Sequence, residues 1–515
     1  METHFDVTEW QPTKPTEPGE EDITAELPTL VATLNQQTND IYRHPYNPNG
    51  WFGRAETLMR LRYPELAVGD THKAVLLCQT LLARLCDDRR YRLGHCMGFW
   101  MLDEADADAD AETHDDDEDA RRDDLEQRLA DLQADAQRLQ LENLYHSPAF
   151  EEGIFLQRPY PWMQARHRRR DDALVAKINR EFEEAEARLC RDSPKERPAG
   201  QNDKGRCCIL KRHAFGESTA PDKDTSELLG VFAARDLAPE TVLVIDETQA
   251  WGCIGPGDGG STANLSGGTG CSDPIHPNLP SEDANSEDLR WIRERAGKYA
   301  AEILLQCRFL IGCIADKVAH PLDHTLVARL TPTYRLEKVG LFSLEHDIAI
   351  PNECLQQFGI DIFAEGEYDT WVLFTLEARI DNNSWSDPIH SCISPLFSLF
   401  NHSCEPNVSW KIMNDHTTMV IRVTKDVHEG EQLFVDYDGF MKDQPLQARR
   451  KRMSKWLDAD CQCTRCQREE AEQEAAGRKC TCGCGGCGGD GGGTAEWDVA
   501  EKPVFPEDSW KVRRR

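Results

Sequence analysis

Residues 461–466 read CQCTRC, and residues 401–407, earlier in the chain, read NHSCEPN. The first stretch places Cys461, Cys463 and Cys466 so close together that three thiolates can occupy three corners of a tetrahedral Zn²⁺, each at about 2.3 Å. Reduced cysteines without a metal are the alternative, but isolated cysteines seldom fall at zinc-ligand spacing. The spacing therefore predicts a structural zinc site with one corner still to be filled.

The fourth zinc ligand must come from another part of the chain. The candidates are His402 and Cys404 of the NHSCEPN stretch and the cysteines of residues 480–487, which read CTCGCGGC. A distant ligand would hold the C-terminal segment against the earlier fold, whereas the glycines around the later cysteines imply no core to support a metal. Residues 480–487 are therefore a weaker candidate for a second metal site.

The composition limits the class of protein that carries these motifs. The chain has 515 residues, 39% of them apolar, which suffices for about three structural units with at least one sizeable core. Its net charge of −32 opposes binding to nucleic-acid phosphates. No apolar run approaches the roughly 18 residues of a membrane span, and the first residues do not resemble a signal peptide. We therefore expect the 20 cysteines to be reduced or metal-bound in a soluble intracellular protein.

Short β-prone runs surround the NHSCEPN stretch. They lie at residues 207–210, 228–232, 241–245, 371–376, 419–423 and 432–435. A loop rich in Gly, Ser and Pro at 252–280 interrupts them, followed by one helix over 286–310. The pattern predicts a β-rich domain with an inserted helical subdomain.

Helical patterns dominate the first 200 residues. Apolar positions over 51–77 predict two helices joined around residues 63–65, and this hairpin resembles one tetratricopeptide-like unit. A solenoid would need about three such repeats, so a hairpin packed on another domain is the preferred interpretation. Residues 103–124 contain 13 Asp or Glu and predict a solvated, mobile spacer. Further helices are predicted at 125–139, packing within the chain, and at 172–190.

Several further motifs occur in order around NHSCEPN. Residues 230–237 read GVFAARDL, residues 382–385 read NNSW, and Tyr437 follows a turn and strand that begin VHEGEQL. Together with Arg449 and the cysteines after it, these motifs resemble the SET-domain lysine methyltransferases, and within them the SET-and-MYND type and its fungal relatives. The resemblance covers about residues 206–467. It implies a β-rich, pseudoknotted SET fold that binds S-adenosylmethionine on one face and a lysine on the other.

The resemblance implies roles for particular residues of this sequence. The implied cofactor contacts are Leu229 through its backbone, Gly230, Asn383, Asn401 and His402. Tyr437 would be the active-site tyrosine. The family motif also makes Cys404 the fourth zinc ligand, which answers the need for a distant one. The implied metal site is therefore formed by Cys404, Cys461, Cys463 and Cys466.

The sequence also departs from the family pattern. Leu228 and Leu229 stand where family members often carry a polar residue and a second glycine, which removes a possible partner of the cofactor carboxylate. Ala459 replaces an aromatic residue that commonly precedes the first cysteine of the cluster. The position of a MYND zinc finger contains only two cysteines, Cys253 and Cys271, so no such finger is expected.

The predicted fold class is α+β. It comprises a β-rich SET fold with an inserted helical subdomain and a zinc-bound post-SET segment, preceded by an N-terminal helical, tetratricopeptide-like region. The predicted units are an N-terminal helical hairpin region (1–100), an acidic linker with helices (101–205), the SET domain (206–440, with its insertion at about 252–380), the post-SET zinc segment (441–467) and a disordered Gly-rich tail (468–515).

The expected function is S-adenosylmethionine-dependent protein-lysine N-methylation, with zinc as the structural metal. The partner would be a protein that presents a lysine, on a histone tail or elsewhere, in the nucleus or the cytoplasm, without direct nucleic-acid or membrane contact. The departures at Leu228, Leu229 and Ala459 favour one alternative, a weak or inactive SET-domain protein that acts as a protein-interaction module. A zinc-stabilised helical scaffold that works through its N-terminal hairpin is a third hypothesis.

Overall fold

The computed structural model shows an α+β protein. Helices precede and follow its β-rich region along the chain. The residues it describes are 23–87, 115–146, 154–192, 206–212, 228–247, 250–253, 289–332, 339–386, 390–413, 418–439, 441, 443–457 and 459–478. None of the helices in these described ranges combines the length and the apolar composition of a membrane-spanning segment.

The described α-helices of seven or more residues lie in three groups. The N-terminal group contains α1 (Leu27–Arg43), α2 (Pro48–Arg60), α3 (Pro64–Asp87), α4 (Asp115–His146) and α5 (Asp172–Asp192). The inserted group contains α6 (Arg290–Ala296), α7 (Ala300–Ala315), α8 (Ile350–Gln357) and α9 (Thr370–Asn383). The C-terminal pair is α10 (Leu446–Met453) and α11 (Thr464–Arg478).

The strands are short and form small sheets. They are β1 (Ile154–Leu156), β2 (Cys208–Arg212), β3 (Leu229–Ala233), β4 (Val242–Glu247), β5 (Ala250–Cys253), β6 (Val339–Leu341), β7 (Trp385–Ser386), β8 (His390–Ile393), β9 (Asn401–His402), β10 (Val408–Ile412), β11 (Thr418–Val423) and β12 (Phe434–Val435). The sheet orders are β10-β11-β4, β5-β8-β7, β2-β3, β1-β6 and β12-β9, of which only the last is parallel. Met419, Ile421 and Val423 are buried on one face of β11, as the two-residue period of a half-buried strand requires.

Residues 431–435, near the end of the β-rich region, pair with two strands that precede them in the chain. Leu433 N donates to Val231 O at 2.8 Å, and Ala233 N donates to Glu431 O at 2.8 Å, so residues 431–433 extend the β2-β3 sheet. The residues after them form β12, which pairs in parallel with β9. This arrangement brings the NHSCEPN stretch beside the segment that ends in Tyr437.

The inserted subdomain is helical, but two of its elements differ from the sequence prediction. The predicted strand at 371–376 is wrong, because those residues belong to α9. Asp369 caps that helix by accepting from Thr370 N at 2.9 Å, and nearly every residue from Thr370 to Ile380 is buried between helices. Because the helix is buried on nearly all sides, its sequence lacks the alternation of apolar and polar faces that marks an amphipathic helix. Its Trp, Val and Phe residues therefore resemble the pattern of a β-strand.

The single helix predicted over 286–310 is also wrong. The chain forms two helices, α6 and α7, which are separated by a short 3₁₀ turn at Gly297–Tyr299. Gly297 has a φ of 53°, a left-handed backbone conformation that glycine adopts without the steric penalty of a side chain. This conformation of Gly297 therefore ends α6.

The predicted N-terminal hairpin is present as α2 and α3, with α1 and α4 packed beside it. Leu129 and Ala136 of α4 are buried, as expected for packing within the chain. The prediction of a mobile spacer over 103–124 is wrong at its C-terminal end, because α4 begins at Asp115. Acidic residues in a first turn stabilise a helix through its dipole, so an Asp-rich run can begin one.

A buried network of charges joins the N-terminal helices to the inserted subdomain, and we call it the N-terminal junction. Arg54 of α2 binds Asp70 of α3 at 2.7 Å and Asp369 at 2.9 Å, and Lys73 lies 3.2 Å from Asp369. Burial would raise the pKa of Asp369, but Arg54 and Lys73 outweigh it and lower that pKa to about 2. The hairpin is therefore integral to the fold and lies against the insertion.

The C-terminal segment is more ordered than the sequence predicts. Helix α11 continues to Arg478, so the first residues of the predicted disordered tail are helical. Ion pairs of α10 with α11 hold this helix in place, which a reading of glycine content alone does not reveal. The cysteines of residues 480–487 and the remainder of the tail lie outside the described residues.

Candidate functional site

Four buried cysteine sulfurs lie together beside the NHSCEPN stretch. The Sγ atoms of Cys404, Cys461, Cys463 and Cys466 are all within 4.8 Å of one another. Cys404 Sγ lies 3.9 Å from Cys461 Sγ and 3.7 Å from Cys466 Sγ. Sulfurs bound at the usual distance to a tetrahedral Zn²⁺ are about 3.8 Å apart. The donor set therefore fits zinc, and Cys404 stands where the fourth ligand is needed.

The local structure favours the thiolate form at two of these sulfurs, those of Cys463 and Cys466. Cys404 lies in the turn after β9, and Cys466 lies in the first turn of α11, where the helix dipole favours a negative charge. Hydrogen bonds with the neighbouring thiols, that of Cys404 first, hold the pKa of Cys463 well below its ordinary value. The pKa of Cys466 is lowered in the same way, to about 7, whereas that of Cys404 is raised, so these hydrogen bonds favour the thiolate form at two of the four sulfurs.

His402 lies on the inner side of this cluster with 1% of its surface exposed. Its Nδ1 accepts a hydrogen bond from Tyr437 N at 3.2 Å, so the ring proton belongs on Nε2, which lies 3.3 Å from Cys404 Sγ. Burial lowers the pKa of His402 to about 4, so the ring is neutral at pH 7. The side chain joins the cysteine cluster to the Tyr437 backbone, and both of its ring nitrogens are engaged within the protein.

Tyr437 lies at the meeting point of the NHSCEPN stretch and the C-terminal segment. Its hydroxyl donates to Phe400 O at 3.0 Å. Its ring is 5.3 Å from the His402 ring and makes an edge contact with Trp456 at 6.4 Å. Trp456 thereby contributes an aromatic wall near the position where Ala459 lacks one.

Asn401 connects two of the predicted cofactor-binding segments. Its Nδ2 donates to Leu229 O at 3.1 Å, although the two residues are 172 positions apart. Leu229 and Gly230 lie in β3 and are buried. The structure therefore brings together four of the predicted site residues, Leu229, Gly230, Asn401 and His402, with Tyr437 beside them.

Asn383 is held differently from these residues. It lies at the C-terminal end of α9, where its Nδ2 donates to Thr331 O at 3.0 Å and to Arg379 O at 2.8 Å. Both bonds are to the inserted subdomain, so they fix the end of α9 just before β7. Its predicted contact with the cofactor remains a prediction.

Two buried charged residues near the site were not assigned a role from the sequence. Asp246 of β4 accepts hydrogen bonds from Leu396 N and Phe397 N, both at 2.7 Å, and so fastens the turn that precedes NHSCEPN; burial raises its pKa to about 7. Arg449 of α10 is fully buried and contacts Cys466 Sγ. An acid at the end of the apolar run VLVID is a signal that could have indicated Asp246.

Comparison with known proteins agrees with these motifs. A family model described as the SET domain matches residues 228–438. These residues include β3, the inserted subdomain, NHSCEPN and Tyr437, and exclude the three cysteines at 461–466. The match therefore covers the fold around the candidate site and leaves the N-terminal helices and the C-terminal segment outside it.

Curated relatives align with short parts of the chain. Histone-lysine N-methyltransferase SET5 of Yarrowia lipolytica is 38% identical over 76 residues, which is 15% of this chain and 17% of that protein. Histone-lysine N-methyltransferase SMYD3 of Homo sapiens is 31% identical over 80 residues, 16% of this chain and 18% of that protein. SET domain and MYND-type zinc finger protein 6 of Schizosaccharomyces pombe is 29% identical over 93 residues, 18% of each chain. The chain therefore spans less than a fifth of the length of these relatives.

Proposed function

Because the chain carries a SET domain over residues 228–438 and is similar to SET-and-MYND-type methyltransferases, we propose that it is an S-adenosylmethionine-dependent protein-lysine N-methyltransferase. The observation that carries the proposal is the position of Tyr437. Its hydroxyl is held by Phe400 O directly before NHSCEPN, and its backbone N–H is held by His402 within that motif. Such double anchoring suits a side chain whose work is to orient reactants.

Main-chain groups from two segments would hold the cofactor. Leu229 and Gly230 of β3 would contact its methionine part, and Asn401 with the His402 backbone would hold its amino group and adenine. Asn383 would close the pocket from the end of α9. The rings of Tyr437 and Trp456 offer electron-rich faces suited to a sulfonium cation. When bound, the cofactor supplies a methyl group activated by that positive charge.

The lysine must lose its proton before it can accept a methyl group. A free lysine has a pKa of about 10.4, so roughly one amine in a thousand is neutral near pH 7, a cost of about 4 kcal/mol. Removal from water and a neighbouring cation both lower that pKa. Because the Tyr437 hydroxyl donates its hydrogen bond to Phe400 O, its oxygen presents lone pairs as acceptors for the amine. Tyr437 would therefore orient the amine and would not take its proton.

Zinc would support this pocket from behind. Cys404, Cys461, Cys463 and Cys466 would hold the metal, which supplies no chemistry to the transfer. His402 would then transmit the position of Cys404 to Tyr437 through its two ring nitrogens. Loss of zinc should accordingly weaken cofactor binding as well as the fold.

Labelled-methyl transfer tests the proposal. The purified chain is incubated with S-adenosylmethionine carrying a labelled methyl group and with either core histones or histone-depleted cell extract. We expect label in protein lysine, and we expect Tyr437→Phe to lower transfer by at least 100-fold, because a lost transition-state contact of a few kcal/mol has that effect. Tyr299→Phe, a tyrosine of the inserted subdomain, serves as the matched control and should retain activity.

The result also separates the alternatives. Label in histones would favour a histone substrate and a nuclear location. Label only in the extract would favour a non-histone substrate, for which a cytoplasmic location is equally compatible. Calorimetric titration with S-adenosylmethionine distinguishes the interaction-module alternative, which predicts weak or absent binding because of Leu228 and Leu229. Unchanged transfer by Tyr437→Phe would remove that residue from the mechanism.

A further inference from the structure

The candidate zinc site poses an electrostatic problem. Four thiolates around one Zn²⁺ leave about two negative charges on the cluster. All four cysteines are buried, with at most 4% of their surface exposed. A buried charge is costly unless another charge or a set of hydrogen bonds compensates it. The surrounding residues must therefore supply positive charge close to the sulfurs.

Arg449 meets this requirement. The residue is fully buried, at 0% exposure, which is rare for an arginine. Its Nη2 lies 3.5 Å from Cys466 Sγ and 2.8 Å from Glu469 Oε2, and its Nη1 donates to Gln444 O at 2.5 Å. The guanidinium is therefore held in one orientation, with one edge directed at a sulfur of the cluster.

A second arginine adds to the positive charge on the same side. Arg465 Nε binds Glu469 Oε1 at 2.8 Å, and its Nη1 lies 3.3 Å from Cys404 O. Glu469 is thus shared between two arginines, so the group of three keeps one positive charge in excess. That excess lies beside the sulfurs, where it offsets part of the cluster charge.

The adjacent ion pair provides an internal comparison. Arg450 follows Arg449 on α10, and Glu470 follows Glu469 on α11, and this second pair is bonded at 2.7 and 2.8 Å. Its glutamate is more exposed than Glu469, at 42% against 26% of the side chain. The two pairs join the same helices in the same way, but it is Arg449 that lies in hydrogen-bonding contact with a cluster sulfur.

We propose that Arg449 is a positioning residue of the metal site, which holds the Cys466 sulfur in place from outside the cluster and slows the loss of zinc. The inference rests on the proposed zinc site and goes beyond it, because neither the cysteine spacing nor the family motif assigns Arg449 this role. Residues that contact metal ligands from outside typically contribute 10- to 100-fold to metal affinity. Arg449 should contribute in that range, and Arg450 should not.

Zinc release from the full-length protein tests the inference. The wild type, Arg449→Met and Arg450→Met are loaded with zinc, and release to an excess of a chromogenic chelator is followed at a temperature well below unfolding. We expect Arg449→Met to release zinc at least 10-fold faster than the wild type, and Arg450→Met to stay within about 3-fold of it. Equal release rates of the two variants would overturn the inference.

Arg449→Lys is a second variant that keeps the inference testable if Arg449→Met fails to fold. It keeps the positive charge but loses the planar fork that reaches Cys466, Glu469 and Gln444 together. We expect release from this variant to lie between those of the wild type and Arg449→Met; release at the wild-type rate would contradict the proposed contact. Metal analysis of the wild type separates the two levels of the argument. A protein without zinc would overturn the metal site itself, whereas a zinc protein with equal release rates would overturn only the role of Arg449.

Discussion

The two ends of the described chain are fastened to its middle in different ways. At the C-terminal end, Cys404 meets the cysteines of residues 461–466, and the four sulfurs lie close enough together to hold the proposed zinc ion. At the N-terminal junction, Arg54 and Lys73 meet Asp70 and Asp369, and the opposite charges satisfy one another. With the proposed zinc in place, one connection depends on a bound metal ion and the other on the chain's own charges. The two should therefore fail under different conditions.

Removal of zinc should have the largest effect and should be confined to the C-terminal connection. Structural zinc sites contribute several kcal/mol to folding, so an excess of chelator should lower the melting temperature markedly. Hydrogen exchange should increase in β9, β12 and α11 and remain slow in α2 and α3. Cys404→Ser should abolish the effect of the chelator, whereas Cys78→Ser, a buried cysteine outside the cluster, should preserve it. Faster exchange throughout the N-terminal helices would contradict the separation.

Asp369→Asn should break the N-terminal junction and leave the response to chelator unchanged. The substitution leaves Arg54 and Lys73 without one of their two carboxylates in a buried site, which typically costs about 3 to 5 kcal/mol. Denaturant unfolding measures the loss. Arg60→Ala is the control, because its pair with Glu26 is exposed on both sides and should be worth less than about 1 kcal/mol. Similar losses from the two variants would show that burial does not distinguish the pairs.

Acid should weaken the N-terminal side by a smaller amount through His320. This residue stacks on His167 at 4.3 Å and lies 5.9 Å from Trp371 of α9. Burial lowers its pKa to about 3, with further lowering by His167, Arg166 and Arg379. A folded pKa below the unfolded value of about 6.5 means that the stability it contributes is complete above pH 6.5 and is lost as the pH falls toward 3. At pH 5 the loss should be about 2 kcal/mol.

The comparison of pH profiles isolates this contribution. In the wild type, Leu322 N donates a hydrogen bond to His320 Nδ1 at 3.2 Å. The asparagine of His320→Asn keeps an acceptor for this N–H but cannot be protonated. Between pH 7 and pH 5 this variant should lose about 2 kcal/mol less stability than the wild type. His428→Gln, at an exposed position, should follow the wild-type profile. An unchanged slope in His320→Asn would remove the residue as a source of acid sensitivity.

Local spacing in the sequence predicted much of the candidate site. Three cysteines within six residues indicate a metal wherever they lie, and the order of NHSCEPN and Tyr437 indicated a SET fold that the structure and the family comparison bear out. Orientation was not predictable in the same way. Nothing in the sequence reveals that both ring nitrogens of His402 are used within the protein, or that the side chain of Asn383 is bonded to Thr331 and Arg379.

The errors in the fold have physical causes of the same kind. Residues 371–376 lack a helical period because α9 is buried on nearly all sides, so only tertiary packing identifies the helix. The N-terminal junction was not predictable because Asp369 is one of 91 acidic residues and lies 315 positions from Arg54. Partners so far apart in the sequence are brought together only by the fold. Composition does not indicate which carboxylate will pair with Arg54.

The length of these connections constrains how the protein is made. Arg54 cannot meet Asp369, and Cys404 cannot meet Cys466, until the ribosome has synthesised most of the chain. The segment that extends the β2-β3 sheet, residues 431–433, is also synthesised late. Nascent chains therefore carry open sheet edges, and their Arg54 and Lys73 lack Asp369, for much of their synthesis, a state in which chaperones would be needed against aggregation. A message truncated before codon 461 would yield a polypeptide that contains Asp369 and residues 431–433 but never acquires the three cysteines that Cys404 meets.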